Sequence, residues 1–213
     1  MTDPRTLSID VVSDVVCPWC LIGTRRLEQA LAALPDVKAT VVFRPFLLDP
    51  TASSGGGDLR DRLRKKYGVD PEVMFLRVEA AAKDSGIPLD FAKVRRWAST
   101  LGAHTLLRHA IAKGTQPAFA RALFDAYFLE GRDIGDVPTL ASVAEAHGFT
   151  ADEATALATD PAELDLTRAE AAAASRRGIS GVPFVVLDGR LAVSGAQPVA
   201  TFKAAIERAL TGE

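Results

Sequence analysis

Cysteine is nearly absent: 213 residues hold two, Cys17 and Cys20, inside DVVCPWCLIG at residues 14–23. A scaffold stapled by several disulfides is thereby excluded. A chain of this length buries roughly 70% of the surface its unfolded form exposes and needs no staple to fold. Histidine is scarce as well, at three residues. With no HExxH and no second CxxC, the common tetrahedral zinc patterns are missing. No apolar run is long enough for a membrane span or a signal-peptide core, and the start, MTDPRTLSIDVVSD, carries Asp3, Asp10 and Asp14. The expectation is a cytoplasmic protein. A net charge of −2 gives no general drive toward nucleic acid or an anionic membrane. The glycines of SSGGG at 53–57 lack the lysine of a phosphate-binding loop, no GxSxG turn occurs, and there is no internal repeat.

What is present is the placement of the two cysteines. Scattered at random they would fall three positions apart only about once in a hundred sequences, so the spacing calls for a reason. As a staple the pair closes a loop of about four residues, worth roughly 2 kcal/mol before strain is subtracted. As a zinc site it supplies half of a tetrahedral set; His104 and His109 are five apart and share no helical face, although two chains could pool four thiolates. As a redox pair it needs one reactive thiolate and one partner. That reading ranks first, a metal role second and a staple last.

Local patterns place the motif. Leu7–Ser13 has the β-branched content of a strand, with Leu7, Ile9 and Val11 on one face; LIGTRRLEQALAAL sets Leu27, Leu31 and Leu34 at helical spacing before Pro35; Val37–Arg44 alternates as a second strand. The cysteines therefore lie where a strand turns into a helix. A helix N-terminus presents unpaired N–H groups and the positive end of the macrodipole, both favouring a thiolate. Pro18 suits the first helical turn and helps hold Cys17 at the exposed edge. A free cysteine with pKa near 8.5 is a few per cent thiolate at neutral pH, whereas one shifted to about 7 is half ionised. Cys17 is thus the expected nucleophile. Cys20, one turn inside and kept higher by burial, is the expected resolving thiol. Asp14 would oppose a thiolate if it lies close.

From Asp58 to Arg177 the pattern is helical almost throughout. Asp70-Pro71, Thr150 with Glu153 and Asp160 with Glu163 read as starts, and Gly114, Gly131, Gly148 and Gly178 as stops. Phe119, Leu123, Phe124, Tyr127 and Phe128 form an apolar stripe that reads as core. RDRLRKK at 60–66 reads as a solvated helix face with an Asp61–Lys65 pair. His104 falls near the start of a helix from about Leu101 to Lys113, capped by Thr100, and His147 reads as a helix-end residue favouring the dipole. Strand character returns in Phe184–Leu187 and Arg190–Ser194 around a two-residue Asp188-Gly189 turn, and a final helix aligns Phe202, Ile206 and Leu210. The expected fold class is α/β: a discontinuous thioredoxin-like domain at 1–52 and 178–213, with a large all-helical insertion at 58–177 between its βαβ and ββα halves and SSGGG as a flexible connector.

DVVCPWCLIGTRRLEQAL, the Ala103-His104 pair, ALFDAYFLEGRDIGD and GISGVPFVVLDGRLAVSGAQP together resemble the FrnE-like branch of the DsbA family of thioredoxin-fold oxidoreductases, from about residue 7 to 210. The resemblance implies dithiol/disulfide exchange through Cys17 and Cys20, with a redox-active disulfide and no bound cofactor. It implies a cis peptide bond before Pro183, with Val182 offering backbone groups to an extended substrate. Trp19 would be either an apolar platform for that substrate or a residue packed onto the helical domain. His104 and Pro18 would stand behind the cysteines. The implied partners are a disulfide-bearing protein or small molecule and a thiol redox partner, with glutathione as a further co-substrate. Strongly oxidising relatives have histidine where this chain has Trp19, so an extreme oxidant is not expected. Two other functions stay open. One is a glutathione-dependent isomerase or transferase, like 2-hydroxychromene-2-carboxylate isomerases and kappa-class transferases, which have serine in place of the cysteine. The other is a metal-binding or interaction module.

Overall fold

The structure, a computed structural model, describes residues 5–53 and 55–212; residues 1–4, with Asp3 of the acidic start, Ser54 of SSGGG and Glu213 lie outside the described residues. Strands β1 (Arg5–Ser13) and β2 (Val37–Pro45) pair in parallel, Ile9 opposite Val41, and α1 (Pro18–Ala32) makes the crossover that parallel neighbours require. The C-terminal part adds β5 (Phe184–Leu187), β6 (Leu191–Ser194) and α9 (Val199–Thr211). The sheet order is β2-β1-β5-β6, with β5 antiparallel to both its neighbours. Alternation in β1 drives Leu7, Ile9 and Val11 into the core with Ile22 and Leu27 of α1 and Phe202 and Ile206 of α9, all at most 2% exposed. This is the expected βαβ–ββα arrangement. At the hairpin, Asp188 (φ 49°) and Gly189 (φ 65°) both take the left-handed conformation. The Arg190 N–H closes on the Leu187 carbonyl at 3.0 Å, and the ladder resumes at Leu191, one residue later than the pattern predicts.

Between β2 and β5 the chain forms β3 (Gly57–Asp58), α2 (Leu59–Tyr67), α3 (Pro71–Asp84), β4 (Arg96–Trp97), α4 (Leu101–Ala112), α5 (Gln116–Phe128), α6 (Val137–Glu145), α7 (Ala151–Thr159) and α8 (Pro161–Arg176). Asp70, Thr150 and Asp160 cap α3, α7 and α8 through side-chain oxygens, Asp160 reaching the Ala162 N–H rather than that of Glu163. Several local expectations change. Thr100 has φ −101° and ψ 2° instead of an extended backbone, so its hydroxyl makes no cap bond to α4. Asp61 is taken by Arg64 at 3.0 Å instead of Lys65. His147 lies tilted against Phe119, centroids 5.2 Å apart, and burial pushes its pKa down; packing, not charge at a dipole, holds it. The end of SSGGG is no plain connector either. Gly57 pairs with Trp97 in the β3–β4 ladder, and a Cβ on Gly56 (φ 59°) would sit 2.6 Å from the Trp97 carbonyl. Only glycine fits there.

The apolar stripe of α5 is core as expected, with Phe119, Leu123, Phe124, Tyr127 and Phe128 all at most 2% exposed. At its start, Gln116 closes the outer edge of β2. The buried amide accepts the Phe43 N–H (2.9 Å) and donates to the carbonyls of Phe43 and Leu107 (both 3.0 Å). A side chain thus stands in for the next strand. Gln116→Leu leaves the Phe43 N–H and carbonyl unpaired and removes a second bond from the Leu107 carbonyl of α4; it is expected to cost about 2–4 kcal/mol, read as a lower urea midpoint at unchanged slope.

Candidate active site

The two thiols lie at the C-terminal end of β1, where the sheet stops and α1 begins. Residues 14–16 make the corner: the Cys17 N–H donates to the Asp14 carbonyl at 2.9 Å, and the N–H groups of Cys20 and Leu21 return to the Cys17 carbonyl at 3.0 and 3.2 Å. Cys17 is the N-cap of α1 with an extended backbone, and Pro18 takes the first helical position, where no N–H is required. Cys17 thus stands at the positive end of a helix 15 residues long, with no helix N–H bonded to its side chain.

Cys17 is 5% exposed and Cys20 0%. The first value departs from the expectation of a free-standing edge. The segment at Val182–Pro183 crosses above it, and the Cys17 thiol donates a long bond, 3.7 Å, to the Val182 carbonyl. The Val182–Pro183 peptide is cis. Pro183 is buried, Val182 half-buried, and the Gly195 N–H holds the Pro183 carbonyl at 2.8 Å. On the helix side the approach depends on Gly23, because a Cβ there would meet the Pro183 ring at 2.8 Å. Both cysteines are free thiols. Burial, first, and the neighbouring Cys17 thiol, second, push Cys20 well above the usual thiol range, and the Asp14 backbone N–H pulls against them.

Trp19 is half-buried. One side packs on the core; over the ring stands the Arg77 guanidinium, 5.8 Å from the centroid, carried by α3. His104, in the first turn of α4, is 2% exposed, and its Nε2 lies 3.3 Å from Asp14 Oδ1. The other Asp14 oxygen, Oδ2, accepts the Leu48 N–H at 2.8 Å. The fold thus brings Cys17, Pro18, Trp19, Cys20, Val182, Pro183 and His104 to one corner. Sequence spacing misses Leu48 and Arg77, which no local pattern marks, and misses that Asp14 and His104 pair across 90 positions.

Among the described residues no three histidine, cysteine or acidic side chains are grouped to hold a metal ion. Two cavities of about 490 and 570 Å³ lie elsewhere, one at Ser99–Gly102 and one between α8 and the outer sheet face, and neither is lined by a cysteine. No helix among the described residues is long and apolar enough to cross a membrane.

Comparison with known proteins agrees with this geometry. The DSBA-like thioredoxin domain family matches residues 8–207. A probable DsbA oxidoreductase from Streptomyces coelicolor is 33% identical, with 97% of this chain and 91% of that one covered and a TM-score of 0.87. The cytosolic disulfide reductase DsbM from Pseudomonas aeruginosa, solved alone and with glutathione, superposes at TM-scores of 0.65 and 0.62 with 22% and 20% identity, over 97% and 96% of this chain and 100% and 99% of that one. A 2-hydroxychromene-2-carboxylate isomerase superposes at 0.69 with 18% identity, over 94% of this chain and 95% of the other. Two thiols at the mouth of a helix beneath a proline loop, in a fold matched over nearly its whole length, make this chain a member of the DsbA-like thioredoxin family of thiol-disulfide oxidoreductases and isomerases.

Proposed function

We propose that the protein catalyses thiol–disulfide exchange through the dithiol and disulfide states of Cys17 and Cys20, on a disulfide carried by a protein or a small thiol. The observation that carries this reading is the asymmetry of the pair: Cys17 occupies the N-cap position of α1 under the Val182 carbonyl, while Cys20 is wholly buried one turn behind it, where burial pushes its pKa well above the usual thiol range. Cys17 attacks one sulfur of the substrate disulfide, the substrate S–S bond breaks, and one substrate thiolate leaves. Cys20 then attacks Cys17, releasing the second thiolate and closing the Cys17–Cys20 disulfide. An outside thiol returns the pair to the reduced state. Glutathione is a reasonable donor on the chemistry of the DsbM complex, and the cytoplasm, where thiols stay reduced, is the compartment that suits such a cycle. The Val182 carbonyl lies over the sulfur that a substrate must approach, and the half-buried Trp19 follows two residues on, so an extended segment can lie along that loop. The isomerase-like alternative is weaker: both cysteines are intact, and neither cavity encloses them.

Cys20→Ala removes the resolving thiol and is expected to accumulate a mixed disulfide on Cys17 that non-reducing mass spectrometry detects, while the native protein accumulates little. Adducts of proteins identify macromolecular substrates, and glutathione alone points to the small thiol. No adduct from either source overturns the exchange mechanism.

A further inference from the structure

Large apolar side chains left in water are few, and they are not scattered. Six are mostly exposed among the described residues, and four of these, Tyr67, Val69, Val73 and Leu76, lie close together where α2 gives way to α3. Singly such residues need no account; grouped, they mark a contact surface. The helix that carries two of them is firmly seated. Phe75, Val78 and Ala82 line its buried face, Phe75 stacks on Phe91 at 4.0 Å, and Arg26 of α1 donates to the Ser85 hydroxyl at its end at 2.8 Å. The opposite face presents Val73, Leu76, Arg77 and Ala80 as one exposed helical stripe, Val73 at 69% and Leu76 at 70%.

The stripe leads to the dithiol. Arg77 follows Val73 by one turn and stands over the ring of Trp19, which lies between the two cysteines. From α2, Lys66 donates to the Leu48 carbonyl at 3.1 Å, and the Leu48 N–H holds Asp14, three residues before Cys17. Charge at this corner is mainly of one sign. Residues 59–77 carry six basic and three acidic side chains, in a chain whose net charge is −2. The acids are engaged: Asp61 pairs with Arg64 at 3.0 Å, Asp70 caps α3, and Glu72 pairs with Arg60 at 2.6 Å. Lys65 and Arg77 are exposed and form no ion pair among the described residues. At the far end of the helix Lys83 and Asp84 offset each other.

We propose that the α2–α3 corner is a docking surface for a protein substrate, and that it fits a segment in which apolar and acidic side chains flank the disulfide. The proposal rests on the dithiol exchange described above and names the substrate class within it. Apolar side chains of the segment cover Val73 and Leu76, its carboxylates pair with Arg77 and Lys65, and its disulfide is brought to Cys17 past Trp19. Charges at such an exposed rim act mainly on encounter, so the preference for acidic segments weakens as salt rises.

The probe is a peptide of about twelve residues whose one cysteine carries thionitrobenzoate as a mixed disulfide between leucines and glutamates. One companion has lysine for glutamate, another serine for leucine, and N-acetylcysteine amide carries the same group with no segment. Release of the coloured thiolate by the reduced full-length protein, with probe in excess, gives a second-order rate constant. Native protein is expected to favour the leucine–glutamate peptide about tenfold over either companion, and at about 0.5 M salt the gap to the lysine peptide closes to about twofold. Val73→Ser combined with Leu76→Ser is expected to cost that peptide about tenfold, with less than about a twofold change on the N-acetylcysteine amide probe. Arg77→Glu inverts the order of the glutamate and lysine peptides, whatever its effect on absolute rate. Equal rates for all the peptides in native protein overturn the assignment, as does a double variant that loses peptide and small probe alike. So does sedimentation that finds a native dimer which the double variant turns into a monomer, since a second copy would then cover the face. A native protein that releases no thiolate from the small probe would undo the exchange reading itself, which is a separate outcome.

Discussion

Cys17→Ser is expected to lower turnover of a model disulfide by at least about a thousandfold while leaving the fold intact. The proposed exchange needs a covalent sulfur–sulfur bond on residue 17, and a hydroxyl can neither form it nor leave from it. Cys20 cannot substitute, because at 0% exposure it meets no substrate directly, and burial holds its proton. Serine loses a polarizable sulfur but keeps a donor toward the Val182 carbonyl, a contact already long at 3.7 Å. Stability should therefore change by less than about 1 kcal/mol, with the melting temperature as the control. Turnover retained in the variant, with a native melting curve, would move the chemistry away from Cys17 and remove the basis for a dithiol centre. Turnover and melting temperature falling together would say only that serine is not accommodated, and Cys17→Ala, without a polar atom to place, then repeats the comparison.

The corner that carries Cys17 was legible because its determinants are local. A β-branched run, a CxxC with proline at the second position and a leucine repeat each signal within a few residues, and they agree. The left-handed pair at Asp188 and Gly189 was legible for the same reason, since that dipeptide tolerates positive φ, although the ladder resumed one residue late. Spacing could not give the environment of the sulfurs. Whether Cys17 stands free or lies under the Val182 carbonyl depends on a segment 165 residues away, and whether Asp14 faces bulk water or His104 depends on α4 docking at the corner between β1 and α1. The Asp14 charge, which looked like a simple opponent of the thiolate, became part of a hydrogen-bonded pair only in three dimensions. Thr100 shows the converse failure: a good capping residue at the right position, whose backbone was set by packing before its hydroxyl could reach the helix. The two-residue strands at Gly57–Asp58 and Arg96–Trp97 were beyond any periodicity, being too short to have one.

Phe128→Ala is expected to cost about 3–5 kcal/mol, the largest stability effect of a single truncation that the aromatic packing suggests. Phe128 is 1% exposed and meets Tyr127 edge-on at 4.8 Å, Phe91 edge-on at 6.3 Å and Phe124 at 6.5 Å. Phe91 in turn stacks on Phe75 of α3 at 4.0 Å. Removing the ring opens a cavity where α5, α3 and the segment before β4 converge, and rigid aromatic neighbours collapse poorly into such a space. The loss is a large share of the 5–15 kcal/mol typical of a folded domain, and at roughly 2–4 °C per kcal/mol it should lower the melting temperature by about 10 °C. One contiguous apolar core runs from Leu7 of β1 through α5 to Ala209 of α9, so the helical insertion and the sheet are expected to unfold together even though the chain interleaves them. Loss of helix by circular dichroism and loss of Cys20 protection from alkylation should then fall on one transition in both native protein and variant. Two separated transitions, with Cys20 still protected after the helices have melted, would instead mark the insertion as an independent unit and limit the penalty of Phe128→Ala to that part of the chain.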